Sequence, residues 1–173
     1  MGDSLTTIIV IFLAAILMFI VPMMSIADRS DDISNLIAEI STVEFVDNVR
    51  SKGKLSQNDY DKFYSSLGTT GSVYEVELKV KILDENSRKK ITQNKGTNTG
   101  NLVYYEMFTS QILDTVKNNG VLILKEGDIF SASAKNSNLT ISQQLQNFFY
   151  TIVGSDMYSI SGKHAGVVTL NGN

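Results

Sequence analysis

The feature of this chain that most constrains its fold is an uncharged, apolar run from Leu5 to Ile26, which contains Pro22. As an α-helix the run would be about 33 Å long, close to the ~30 Å thickness of the hydrocarbon core of a bilayer. A core helix of a soluble domain rarely lacks a polar stripe over such a length. The sequence therefore predicts a transmembrane helix over residues 1–27, with Leu13 near its middle and a bend at Pro22, which lacks a backbone N–H.

A cleaved signal peptide is the alternative to a retained membrane span. Small residues in Ser25-Ile26-Ala27 have the spacing of a cleavage site, which would release a secreted protein near Ala27. Signal cores are usually only ~7 to 15 residues long and follow basic residues. Met1 to Ser4 contain no Lys or Arg, and downstream only Arg29 lies close to the span, so charge decides neither cleavage nor orientation.

Beyond the span, apolar residues at three- and four-residue spacing predict an amphipathic helical stalk over residues 28–53. The stripe consists of Ile33, Leu36, Ile37, Ile40, Val43 and Val46. Either Ser30 caps a new helix here or the two helical pieces are continuous. Because no lipid faces the stripe outside the bilayer, we expect it to bury against its own head or against neighbouring subunits.

Residues 54–173 are predicted to form an α+β head with a four- or five-stranded, mainly antiparallel sheet and two or three helices. Ser56 and Asp59 form a capping-box pattern for a short helix that ends at Gly68. Strict alternation from Tyr74 to Ile82 predicts a strand with one buried face. The polar stretch 84–101 has no periodicity and is predicted to be a mobile, exposed loop.

The second half of the head carries further helix and strand patterns. Helical spacing predicts a helix through Tyr104, Met107, Phe108, Ile112 and Val116. Residues 121–125 and 129–135 are predicted to pair as a hairpin, and two short strands to flank a turn at 162–166. Thr140 and Gln143 predict the capped start of a helix that bears Ile141, Leu145, Phe148, Phe149 and Ile152.

Composition excludes several classes of function. With 15 Lys and Arg against 18 Asp and Glu, the chain lacks the basic excess of a nucleic-acid-binding protein. It contains no Cys, and His164 is its single histidine, which we expect to be solvated in a glycine-flanked turn. The sequence has no nucleophile elbow, P-loop, dinucleotide fingerprint or paired zinc-binding histidines. We therefore predict that the protein is not an enzyme and uses no cofactor, metal or small-molecule substrate.

An apolar helix starting almost at Met1, an interior Pro22, an amphipathic continuation through Val49 and a small α+β head together resemble a type IV pilin or pseudopilin, including the tight-adherence kind. The C-terminal stretch, from Gly127-Asp128-Ile129-Phe130 to Ala165-Gly166-Val167-Val168, is similar to single-span proteins of Gram-positive bacteria. The resemblance implies a structural subunit in the cell membrane, with its C-terminal domain on the exterior side. Its partners would be the membrane and copies of itself or other pilus or secretion subunits.

The N-terminus departs from the pilin pattern. Cleavage after Gly2 would remove only a dipeptide and leave Asp3 first, and Thr7 stands where pilins have a glutamate. A subunit retained in the membrane therefore fits the sequence as well as a polymerised one. Two further functions stay open, namely a membrane-tethered exterior domain that binds a partner or ligand, and the secreted protein released near Ala27.

Overall fold

The computed structural model describes residues 2–83, 104–140, 143–144 and 160–172. Its first element is a single helix, α1, that spans Gly2–Lys52 without a break at Ser30. The remaining elements are β1 (Lys54–Ser56), α2 (Gln57–Gly68), β2 (Tyr74–Leu83), β3 (Tyr104–Phe108), α3 (Thr109–Asn119), β4 (Val121–Ile123), β5 (Ile129–Asn136) and β6 (Ser161–Val167). The predicted α+β class is confirmed, and at Ser30 the helix is continuous rather than newly capped.

Four strands form an antiparallel sheet in the order β3-β2-β5-β6, and β1 pairs with β4 in a separate two-stranded ribbon. In β2 the alternation predicted from the sequence is confirmed. Tyr74, Leu78 and Val80 are buried, while Glu75 and Glu77 are exposed.

The C-terminal part of α1 lies across this sheet and against α2. Phe45 of α1 stacks on Phe63 of α2 with ring centroids 4.3 Å apart, and its ring meets the edge of Phe130 from β5 at 5.6 Å. Val46 and Val49 are fully buried in the same cluster. The C-terminal part of α1 is therefore part of the core of the head, and its burial stabilises helix and sheet together.

The local signals at α2 are confirmed. The backbone N–H of Asp59 donates to Ser56 Oγ at 3.3 Å, and the Asp59 carboxylate accepts from the Ser56 backbone N–H at 3.2 Å. This reciprocal pair is the predicted capping box.

The predicted helix at Tyr104 is wrong in its first half. Residues 104–108 form β3, which pairs with β2, and the helix begins only at Thr109. Glu106 of β3 bridges two lysines of β2, with its carboxylate oxygens 2.9 Å from Lys79 Nζ and 3.5 Å from Lys81 Nζ. Pairing with the neighbouring strand thus overrides the helical spacing of the apolar residues.

Two further sequence predictions are corrected. β4 pairs with β1 rather than with β5, and the turn between β4 and β5 is held by Asp128. The buried carboxylate of Asp128 accepts from the backbone N–H groups of Lys125 and Leu83 at 2.8 and 2.9 Å. Residues 162–166 are not a turn between two strands; they lie within β6, paired with β5.

Some predictions fall where the structure gives no description. The loop at 84–101 and the apolar positions from Ile141 to Ile152 lie outside the described residues. The start of that second segment is described: Gln143 N–H donates to Thr140 Oγ1 at 3.2 Å, and Thr140 N–H donates to Gln143 Oε1 at 3.0 Å. This is the predicted capping box. The predicted bend at Pro22 remains a prediction.

Candidate functional site

The N-terminal half of α1 is apolar and largely exposed. Its most apolar stretch of 18 residues has a mean hydropathy of 2.8, and none of it is buried. Leu5, Leu13 and Ile26 have 63, 57 and 69% of their surface exposed. By length and composition this segment qualifies as a membrane span, a criterion that a signal sequence near the N-terminus also meets.

The face that α1 turns to the head differs from the predicted stripe. Its buried row contains small and polar residues along with Phe45 and Val49: Asp31, Ser34, Ala38, Ser41 and Thr42. The hydroxyl groups have partners close by. Thr42 Oγ1 donates to the carbonyl oxygen of Ala38 at 2.6 Å, and Ser41 Oγ is hydrogen-bonded to Ser66 Oγ of α2 at 2.8 Å.

The six residues of the predicted stripe are divided between three environments. Val46 is fully buried in the core, and Ile37 and Val43 are half-buried. Ile33, Leu36 and Ile40 keep 59, 55 and 47% of their surface exposed. For these three residues, the expectation that they bury against their own head is wrong. Packing on neighbouring subunits remains a prediction. We call Ile33, Leu36 and Ile40 the ridge.

Close contact between α1 and β6 explains why the small residues face inward. A Cβ added to Gly162 would clash with the carbonyl oxygen of Ala38 and would lie 2.8 Å from Thr42 Oγ1. A Cβ at Gly166 would lie 2.6 Å from Cδ of Arg50. The helix and the strand approach so closely that a row of isoleucines would not fit between them, and the ridge is turned away.

His164 lies on the same face of β6, between the two glycines. The prediction that it is a solvated turn residue is wrong: it is half-buried, and its Nε2 lies 3.6 Å from Oδ1 of Asp47 on α1. The same oxygen is 2.7 Å from Nε of Arg50. His164 and Arg50 thus both lie beside this oxygen of Asp47, at the place where β6 meets the last turns of α1.

At the end of the head nearest the apolar half of α1, Asp31 joins α1 to the segment after β5. Its Oδ2 accepts a hydrogen bond from Thr140 Oγ1 at 2.7 Å. Burial raises the pKa of Asp31 above the ordinary value of 3.8, nearby Asp28 and Asp32 add to the increase, and the hydrogen bond from Thr140 opposes it. Four residues further along α1, Asn35 Oδ1 accepts from the backbone N–H of Ser161 at 3.1 Å.

A groove of about 450 Å³ lies beside Asp31, between α1 and the base of the head. On the helix it begins at Met23 and Ile26, within the predicted span, and on the head it is bordered by residues 70–72 and 138–140. The base of the head therefore reaches the level at which the apolar segment ends. Among the described residues, no group of three or more acidic or histidine side chains is placed to hold a metal ion.

The buried face of α1 could not be identified from apolar periodicity, because small and hydroxyl side chains count as polar in such a pattern. Its spacing is nevertheless visible in the sequence: Ser34, Ala38, Thr42, Phe45 and Val49 follow one another at three or four residues. Small residues at helical spacing can indicate a face that packs closely against another element, just as large apolar residues at that spacing indicate a buried face.

The chain has no match among protein-family models, curated proteins or solved structures.

Proposed function

We propose that this protein is a pilin-like structural subunit of a bacterial surface filament or secretion apparatus, anchored in the cell membrane by α1 with its head on the exterior side. The observation that carries the proposal is the division of α1 along its length. Its first half is apolar and exposed, and its second half is part of the core of the head. A pilin-like subunit needs both properties in one helix.

The apolar half supports a membrane anchor on energetic grounds. Fully burying one large aliphatic side chain contributes roughly 1.5 to 3 kcal/mol, and exposed side chains of this kind occur along the whole run from Leu5 to Ile26. Lipid, or apolar helices of other subunits within lipid, would cover that surface. Inside the bilayer, the helix also satisfies its own backbone hydrogen bonds.

The continuity of α1 supports a structural role. Because one 51-residue helix, about 76 Å long, runs from the span into the core, the head cannot rotate freely relative to the anchor. A fixed relation between head and anchor lets many copies pack in a regular array. A flexible linker would suit a tethered binding domain better.

The test is to express the full chain in a Gram-positive host and separate membranes, sheared surface material and culture medium. Because the protein has no Cys, a single Leu13→Cys substitution gives a specific cross-linking site within the proposed span. We expect the chain in membranes or sheared filaments, with cross-linked dimers and larger species.

Two different results would favour another function. An intact chain that stays monomeric in membranes under cross-linking would point to a tethered exterior domain. Protein in the medium whose N-terminus is Asp28 would mean that the apolar segment is a signal peptide and would overturn the proposal.

A further inference from the structure

The ridge has the geometry of a helix-packing seam. Together with the half-buried Val43, the ridge residues Ile33, Leu36 and Ile40 follow one another at intervals of three, four and three residues, which is the a/d pattern of a coiled coil. At 3.6 residues per turn, the ridge lies roughly opposite the buried row that begins at Ser34. The head therefore leaves this side of α1 open to another helix.

The charged side chains beside this row of apolar residues, which we call the seam, are all acidic. The ridge is flanked by the exposed carboxylates of Asp32, Glu39 and Glu44, and residues 30–49 contain no Lys or Arg. Neither Glu39 nor Glu44 forms an ion pair within the described parts of the chain. The nearest basic residue before the seam is Arg29, about one turn below Ile33.

A second copy in parallel and in register is a poor partner for this seam. In the heptad that places Ile33 and Ile40 at a, Glu39 occupies g and Glu44 the following e position. These positions face each other between the two helices of a parallel dimer. Glu39 of each copy would therefore lie close to Glu44 of the other copy. Like charges at such positions are destabilising.

We propose that the ridge binds the helix of a different single-span subunit, one that carries apolar residues at the same spacing and Lys or Arg beside them. This inference rests on the proposed membrane-anchored function, because a partner that rises from the same bilayer lies parallel to α1. Apolar contact along the ridge provides the affinity, and the acidic flanks select the unlike partner over a second copy.

A charge-swapped version of the chain serves as the probe for such a partner. The Glu39→Lys/Glu44→Lys double variant keeps the ridge and its anchor but carries basic flanks. Full chains are labelled with donor or acceptor dyes through Ser51→Cys, an exposed position at the end of α1, and reconstituted in lipid vesicles. Energy transfer is then compared for like and unlike pairs over a range of protein-to-lipid ratios.

We expect the wild-type chain and the double variant to associate about fivefold to tenfold more strongly with each other than either does with itself. The preference for unlike pairs should shrink as salt is added, and Ile40→Asp in both partners should abolish that preference without affecting contacts between the membrane spans. A Glu75→Lys/Glu77→Lys variant, which makes the same charge change on the exposed face of β2, should show no preference.

Two results would overturn the inference: like and unlike pairs that associate equally, or no pair whose energy transfer exceeds that expected from random proximity.

A separate measurement tests the membrane anchor. A fluorophore at Leu13→Cys is quenched by brominated lipid if α1 spans the bilayer, and lack of quenching would refute the proposed function itself. Quenching at Leu13→Cys without selective association would leave the anchor in place and exclude the seam. Quenching at Leu36→Cys would also exclude it, because lipid would then cover the ridge.

Discussion

Gly162 of β6 lies against the backbone of Ala38 in α1, so close that a Cβ on the glycine would come within 2.7 Å of the carbonyl carbon of Ala38. This contact fixes the distance between the helix and the sheet. It also determines which face of α1 is left for other molecules, because only small side chains fit on the inner side.

Gly162→Ala should therefore destabilise the head. The obstacle is mostly backbone, which cannot rotate away, so we expect a loss of about 1 to 3 kcal/mol in the free energy of unfolding. Gly166→Ala is the matched control, since the atoms nearest its Cβ belong to the flexible side chain of Arg50. Denaturant unfolding of the full chains in detergent should show the larger loss for Gly162→Ala. Equal losses would show that the close approach at Ala38 does not limit packing.

Secondary structure and fold class were largely readable from the sequence, because α2 and β2 carry strong local signals. The Ser56 and Asp59 capping box and the alternation in β2 depend on neighbours a few residues away. Tyr104 and Met107 were misassigned because their apolar spacing also suits a helix, and pairing with β2 decides in favour of a strand.

The side of α1 that faces the head could not be predicted from apolar spacing alone. Apolar periodicity left open whether Ile40 packs on the head or on neighbouring subunits, because the inner face is set by the glycines of β6, more than 100 residues away in the chain. The small residues Ala38 and Thr42 mark the contact in the sequence but do not by themselves identify Gly162 as its partner. The same holds for His164, whose place beside Asp47 follows from the position of β6 at the edge of the sheet.

Asp31 should make the stability of the head depend on pH. Because its pKa is raised in the folded state, the folded chain holds the proton more tightly than the unfolded chain. The contribution of Asp31 is most favourable below its ordinary pKa of 3.8 and is lost as the pH rises through the raised value. The stability of Asp31→Asn relative to wild type should therefore increase between about pH 3 and pH 7.

Asp114→Asn is the control for that pH series, since it removes a carboxylate from an exposed position on α3. Thermal unfolding of the three full-length proteins at each pH gives the comparison. A gap between Asp31→Asn and wild type that stays constant, or that moves in the opposite direction towards neutral pH, would contradict the role assigned to burial at Asp31.

Leu13→Arg should weaken membrane insertion. A charge near the centre of the span costs roughly 3 kcal/mol on insertion scales, which shifts a large share of the protein out of the integral membrane fraction. Ile123→Arg makes the same change at an exposed position on β4 and should leave insertion unchanged. Carbonate extraction of membranes measures the effect, and equal extraction of both variants would argue against a span at Leu13.

Ile40 and Val46 lie six residues apart on α1. Substitutions at these two positions test whether one side of the helix stabilises the head and the other binds a partner. Val46 is completely buried, so Val46→Asp places an unpaired carboxylate in the core and should prevent the head from folding. Ile40 is 47% exposed, and Ile40→Asp should change the free energy of unfolding by no more than about 0.5 kcal/mol. The same variant should lose association with a partner helix, because the added charge lies within the ridge. Circular dichroism melts and cross-linking on the two proteins separate these effects. An Ile40→Asp head that melts as early as Val46→Asp would mean that the ridge serves the fold rather than assembly.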